Sequence, residues 1–345
     1  MGPPLAGLIS GPPGLKWERD SASSGENALK SALLVRLGGL GDLLAVLPSI
    51  QLIRKYRPGC RLTLVGREEY GTLFVETGVV DELEPATRPR FARLYSDAGA
   101  IPADAASWLG GFDYVWGWMQ ARPPAGLEES LEHFGMAHRM LVYDAGANLP
   151  AGRYFFKETA RSLGPDVSAA AAFDDFVFLP LTEAMIRGGR RLAESRGIGP
   201  DSRYAIIHPG AGGAAKRWPL KNFLETAFLL RGDGLSGVFV TGEAEAELQA
   251  ELAGTRLPLS WNFISRPALK DLAGVLARSA LYLGNDSGVT HLAAACGAPT
   301  LAVFRNDSAL VWKPAGKSRI LVADEAQSVS FHEVAAAARK MLFDG

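Results

Sequence analysis

The chain has 345 residues, 48% of them apolar and 21% charged, with a formal net charge of −1 and two cysteines. At about 150 residues per domain, that length predicts two domains, and the near-zero charge excludes the basic excess that nucleic-acid binders carry. Cys60 and Cys296 lack metal-ligand spacing and predict free thiols in a reducing, cytoplasmic setting. No apolar run approaches the roughly 18 residues that span a bilayer, and the start of the chain has Pro and Gly where a signal peptide needs an apolar core. Residues 1–30, rich in Pro, Gly and Ser, read as a flexible extension.

Regular structure is expected from Leu33. The run Leu33 to Leu37 reads as a strand that ends in Gly38-Gly39-Leu40-Gly41-Asp42. A helix over Leu43–Tyr56 follows, with Pro48 in its first turns. The next strand, Leu62 to Val65, completes a βαβ unit with parallel pairing. Phe112 to Trp116 reads as a further strand and Tyr154 to Leu163 as a helix. From about Leu181 the α/β rhythm repeats. Strands are expected at Tyr204–His208, Val238–Val240, Leu281–Leu283 and Thr300–Phe304, with helices between them. Phe331 to Leu342 is an amphipathic helix that packs on the body. The pattern predicts two doubly wound domains, residues 31–180 and 181–328, followed by a C-terminal helix over 329–345. Ligands of such sheets sit at the carboxyl ends of the strands, so the cleft between the domains is the expected site.

Three strand-to-loop junctions carry residues suited to chemistry. At Gly38–Asp42, glycines allow backbone to approach a ligand at a helix N-terminus. As a dinucleotide fingerprint this segment fails at Leu44, where a small residue is required, although Glu68 follows the second strand. Alternatively, Asp42 merely caps the helix. At His208 to Pro219, a small-residue loop containing Gly212 brings Lys216 and Arg217 to a helix start, which suits an anion; a solvated surface loop is the plainer alternative. His208 reads as a buried strand-end histidine. At Gly284 to His291, Asp286 can accept from sugar hydroxyls, while Ser287 and the amides of Gly288 and Val289 can bond phosphate oxygens. Gly-x-Ser-x-Gly is absent around Ser287, because Asn285 stands two residues before it. Asp174-Asp175 reads as an acidic turn rather than a metal ligand pair.

Taken together, LLVRLGGLGDLLAVLPSIQLIRKYRPGCRLTLVG, HPGAGGAAKRWPLKNF and LKDLAGVLARSALYLGNDSGVTHLAAACGAPTLAVF resemble glycosyltransferase family 9, the ADP-heptose:lipopolysaccharide heptosyltransferases. The resemblance runs from residue 33 to about 315. It implies a GT-B architecture, two Rossmann-like domains facing a central cleft, with the acceptor bound by the first and the nucleotide sugar by the second. It further implies inversion at the sugar carbon without metal or other cofactor, the ADP-sugar serving as co-substrate. By position, Asp42 matches the general base and Lys216 the lysine facing the diphosphate. Asp286, Ser287, Gly288 and His291 match the donor-binding block, joined by Gly212 and Arg217. Glu243, with Glu245 close behind, is the expected ribose contact. Gly39 and Gly41 are assigned to the acceptor side.

The implied partners are ADP-heptose and a lipid-linked saccharide, with no nucleic acid. Such an acceptor brings the enzyme to the inner face of a membrane, where Arg88, Arg90 and Arg93 suit a weak peripheral contact. A GT-B nucleotide-sugar epimerase and a non-catalytic nucleotide-sugar binder share the donor but have no second sugar. Two segments depart from the family pattern: Trp116 to Gln120, where an Asp-Leu-Gln-like segment is expected, and Arg305 to Ala309, where a Gly-Pro-Thr-Asp-Pro-like turn is expected.

Overall fold

The computed structural model describes residues 29–94, 103–121 and 125–343; most of the N-terminal extension lies outside them. The first sheet contains β1 (Ser31–Val35), β2 (Arg61–Gly66), β3 (Glu82–Pro85), β4 (Tyr114–Met119) and β5 (His138–Val142). Its order is β3-β2-β1-β4-β5, with every pairing parallel. The second contains β6 (Tyr204–His208), β7 (Ser236–Thr241), β8 (Trp261–Ser265), β9 (Leu281–Asn285), β10 (Thr300–Arg305) and β11 (Ser318–Ala323). Its order is β11-β10-β9-β6-β7-β8, again all parallel. In each sheet the winding reverses beside the first strand, between β1 and β4 and between β6 and β9. Loops leaving those strands diverge and open a crevice.

The central strands are covered on both faces, which is why they read as unbroken apolar runs. Leu33, Leu34, Val35, Ile206, Ile207, Leu281 and Leu283 are all fully buried. The helices that position the site are α1 (Leu40–Ala45), α2 (Leu47–Tyr56), α3 (Glu68–Glu76), α4 (Ala151–Leu163), α5 (Glu183–Glu194), α6 (Leu220–Gly232), α7 (Leu269–Leu276), α8 (Gly288–Ala295) and α9 (Phe331–Phe343). The single helix expected over Leu43–Tyr56 is two helices, and it starts earlier, at Leu40. Pro48 lies in the first turn of α2 and has no N–H to bond the turn before it, so the ladder breaks at Val46.

The helix α4 packs on α2, α5 on α7, and α9 on α6. Val334, Ala337 and Ala338 of α9 share a buried cluster with Leu230 of α6. One core cluster runs from Ala32 of the first sheet to Ala298 beside the second, so the two halves are packed together. Backbone bonds from Leu179 to the Ala295 carbonyl (2.8 Å) and from Ala151 to the Val311 carbonyl (2.9 Å) also join them. Both cysteines are free. Burial pushes the Cys60 thiol up to about 11, with the nearby Asp113 charge adding to it, and Cys296 up to about 12. Among the described residues no helix is long and apolar enough to cross a membrane.

Candidate active site

The loop after β1 winds back on itself to place Asp42. Gly38 has φ +139°, a conformation that L side chains rarely adopt, and a Cβ there would lie 2.7 Å from the Asp42 carboxyl carbon. Gly39 caps α1, and its N–H donates to Asp42 Oδ2 at 2.9 Å. Arg36 donates from Nη2 to Asp42 Oδ1 at 2.6 Å and from Nε to the Asp42 carbonyl at 3.1 Å. The Arg36 side chain is 1% exposed and that of Asp42 28%. Burial lowers the pKa of the Arg36 guanidinium, with the Asp42 charge acting against that shift. Asp42 therefore does cap its helix, and it also offers a partly exposed carboxylate at the first switch point.

At the second switch point, Lys216 Nζ donates to Asp286 Oδ2 at 2.6 Å. The two residues expected to hold different parts of a donor thus hold each other. Asn285, fully buried at the end of β9, ties the Lys216 loop to the sheet. Its Oδ1 accepts from the Trp218 N–H at 3.0 Å, and its Nδ2 donates to the Pro209 carbonyl at 2.8 Å. Ser287 is the N-cap of α8: its Oγ accepts from the Thr290 N–H at 3.3 Å and lies 3.1 Å from Thr290 Oγ1. That hydroxyl serves the Thr290 amide of the helix, which leaves the amides of Gly288 and Val289 for an anion. Arg217 Nε is buried without a hydrogen-bond partner, and Gly212 stands on the exposed rim of the loop.

The two switch points meet where α1 and α8 touch. A Cβ on Gly41 would lie 3.2 Å from His291 Cδ2, and one on Gly288 would lie 2.9 Å from Leu40 Cβ. Gly41 and Gly288 are therefore used by the contact between the halves, and the Gly39 amide is committed to Asp42. Burial pulls His291 down to about 4, partly offset by the charges of Asp286 and Asp42, so its imidazole is neutral at pH 7. It stands between the carboxylates of the two domains.

Beside this contact a cavity of about 460 Å³ is walled by α3 on one side and by the loops after β7 and β8 on the other. Glu243 is exposed and lines it, whereas Glu245 turns away to accept from the Gly242 N–H at 2.8 Å and to face His208 Nε2 at 3.5 Å. The other ring nitrogen of His208 meets the Val240 carbonyl at 2.9 Å, so this histidine is the strand-end residue its position suggests. Thr241 Oγ1 lies buried in the cavity wall with no hydrogen-bond partner among the described residues. Arg266 to Ala268, which also line it, escape the sequence reading because β8 does. Away from this region, Asp174 pairs with Arg153 at 2.9 Å. Arg88 and Arg90 are both spent on the buried Glu84, and the side chain of Arg93 lies outside the described residues.

Two parallel doubly wound domains, with their functional side chains at facing switch points, form the GT-B architecture of a nucleotide-sugar glycosyltransferase. The family model described as glycosyltransferase family 9 (heptosyltransferase) matches residues 168–340, about half of the chain, and the chain belongs to that family. It is 21% identical to the lipopolysaccharide core heptosyltransferase OpsX of Haemophilus influenzae over 295 residues, covering 80% of this chain and 79% of that one. The family 9 glycosyltransferase structure from Veillonella parvula superposes with a TM-score of 0.76 at 18% identity, covering 94% of this chain and 100% of that one. The E. coli ADP-heptose lipopolysaccharide heptosyltransferase II gives 0.70 at 17% identity, over 91% and 99%. The protein is a heptosyltransferase-like glycosyltransferase.

Proposed function

We propose that the chain transfers a heptose from ADP-heptose to a hydroxyl of a lipopolysaccharide-core-type saccharide, with inversion and without a metal or other cofactor. The observation that carries this reading is the juxtaposition just described. A carboxylate of the first domain, Asp42, and an anion site of the second, around Lys216, stand on either side of one helix contact. An acceptor hydroxyl becomes a competent nucleophile when Asp42 takes its proton. Its oxygen then bonds the anomeric carbon as the bond from that carbon to the β-phosphate oxygen breaks. The charge left on ADP falls to Lys216 and the first-turn amides of α8. The cavity between α3 and the β7 and β8 loops suits the nucleoside, with Glu243 at the ribose and the unpartnered Thr241 hydroxyl in reach of it. The ADP-heptose assignment draws on the names of the relatives. A lipid-linked acceptor would bring the enzyme to a membrane surface, although Arg88 and Arg90 share the single carboxylate of Glu84, which offsets part of their charge.

Thermal shift tests the donor. A ligand at a hundredfold over its dissociation constant adds about 2.7 kcal/mol to the state that binds it. ADP and ADP-heptose should therefore raise Tm by several degrees while NAD does not. A shift with UDP alone moves the donor elsewhere, and one with NAD alone ends the transferase reading. Consumption of the nucleotide sugar only when a saccharide acceptor is supplied separates transfer from epimerisation.

A further inference from the structure

We propose that Arg36 is a positioning residue for transfer, holding Asp42 in the orientation in which it takes the acceptor proton. The inference rests on Asp42 being the base. Its own ground is how completely the guanidinium is committed. Nη2 bonds Asp42 Oδ1, Nε bonds the Asp42 carbonyl, and Nη1 bonds the Trp118 carbonyl at 2.9 Å. Its Cζ lies over the Phe155 ring, 5.4 Å from the centroid. One side chain of β1 thereby locks the carboxylate and the backbone of the same residue, and ties both to β4 and α4. At 1% exposed it is out of reach of any acceptor, so whatever it does for the reaction it does through Asp42.

The chemistry of the pair explains why an arginine stands there. Three donors in a rigid planar fork can serve two acceptors on α1 and one on β4 at once, which an ammonium on a flexible stem cannot do. With Oδ1 held by Arg36 and Oδ2 by the Gly39 amide, the carboxylate cannot rotate away from the cleft. A base placed an ångström off its line loses about 10²-fold in rate.

The test uses the full chain with Arg36→Met and Arg36→Lys, reading the ADP-induced Tm shift, kcat and KM. In the Met variant the ADP shift and donor KM should persist while kcat falls about 10²-fold. The Lys variant should recover part of kcat. An unchanged kcat in the Met variant, or a loss of the ADP shift and of donor KM alongside kcat in both variants, would make Arg36 a purely structural residue and overturn the inference. If the Met variant does not fold, Arg36→Lys with unchanged kcat overturns it alone. Failure of the underlying reading is a separate result: Asp42→Asn that still transfers removes the base itself, whatever Arg36 does.

Discussion

The two switch points of this enzyme are built to opposite specifications. At the first, both oxygens of Asp42 are already bonded and the arginine behind them is sealed from water. At the second, Lys216 sits on an exposed small-residue loop with its side chain 37% exposed, paired with an 8% exposed Asp286. On the proposed roles, the first is set before any substrate arrives, as suits a group that must be in line when a bond breaks. The second would hold a placeholder, Asp286 pairing with Lys216 until a diphosphate competes for it. The proposed base is preorganised, and the proposed diphosphate lysine must exchange partners.

The largest test of this contrast is Asp42→Asn, which should lose about 10²–10⁴ in transfer rate while still binding ADP. Sequence alone predicts little effect on folding, because asparagine also caps helices. The buried Arg36 changes that expectation. An amide in place of the carboxylate leaves the guanidinium without its counter-charge, so urea unfolding should show a loss of about 1–3 kcal/mol. A normal rate would make Asp42 a cap and place the base elsewhere. Lost ADP affinity would break the division between the two switch points.

Next is Lys216→Ala, expected to weaken donor binding and to slow transfer by about 10²–10³. Part of that loss should come from Asp286, left unpaired and facing the diphosphate. Adding Asp286→Asn to the variant should then restore some donor affinity. Isothermal titration with ADP on the single and double variants checks this, and strictly additive losses would show that the pair is no placeholder.

The smallest effect sharpens the boundary between the two sites. His291 has a pKa near 4 in the fold against an ordinary value of 6.5. The unfolded chain therefore takes a proton there before the folded one does. Stability should fall as pH drops from about 6.5 toward 4, and a shift of that size corresponds to about 3 kcal/mol at most. Urea midpoints at pH 7 and pH 5 measure it, and His291→Gln should remove most of this residue's share. An unchanged pH slope in that variant would mean that the imidazole is not desolvated between the helices.

What the sequence revealed of the fold follows burial. The central strands, apolar on both faces, are legible as runs. The strands missed, β3, β5, β8 and β11, are the four edges of the two sheets. Their half-exposed residues carry no continuous signal; β11, for example, has no fully buried position. The site follows a different rule. Asp42, Lys216 and Asp286 stand out as candidates because their residue types follow strands in glycine-rich loops, whereas His291, inside α8, is singled out only by the family resemblance. Arg36 was read only as part of an apolar run, and Asn285 only as the residue excluding a hydrolase pattern. Their roles depend on partners such as Trp118 and Pro209, far away in the chain. The Trp116–Gln120 departure has a structural explanation: both indoles are buried, with their N–H groups bonded to Ser162 and Thr159 of α4. The departure is taken up largely by core packing.

The meeting of α1 and α8 through Gly41 and Gly288 also has a mechanical consequence. Where side chains line a joint, rotamers yield and the joint has play. Here two side chains are missing, so Gly41 lies against the His291 ring and Gly288 against Leu40 and the Gly41 nitrogen, and the halves meet in a tight fit. On the proposed roles, the spacing between Asp42 and Lys216 is thereby set by how closely α1 and α8 approach. A single methyl at Gly288, 2.9 Å from Leu40 Cβ, would act as a shim that pushes the two helices and their switch points apart.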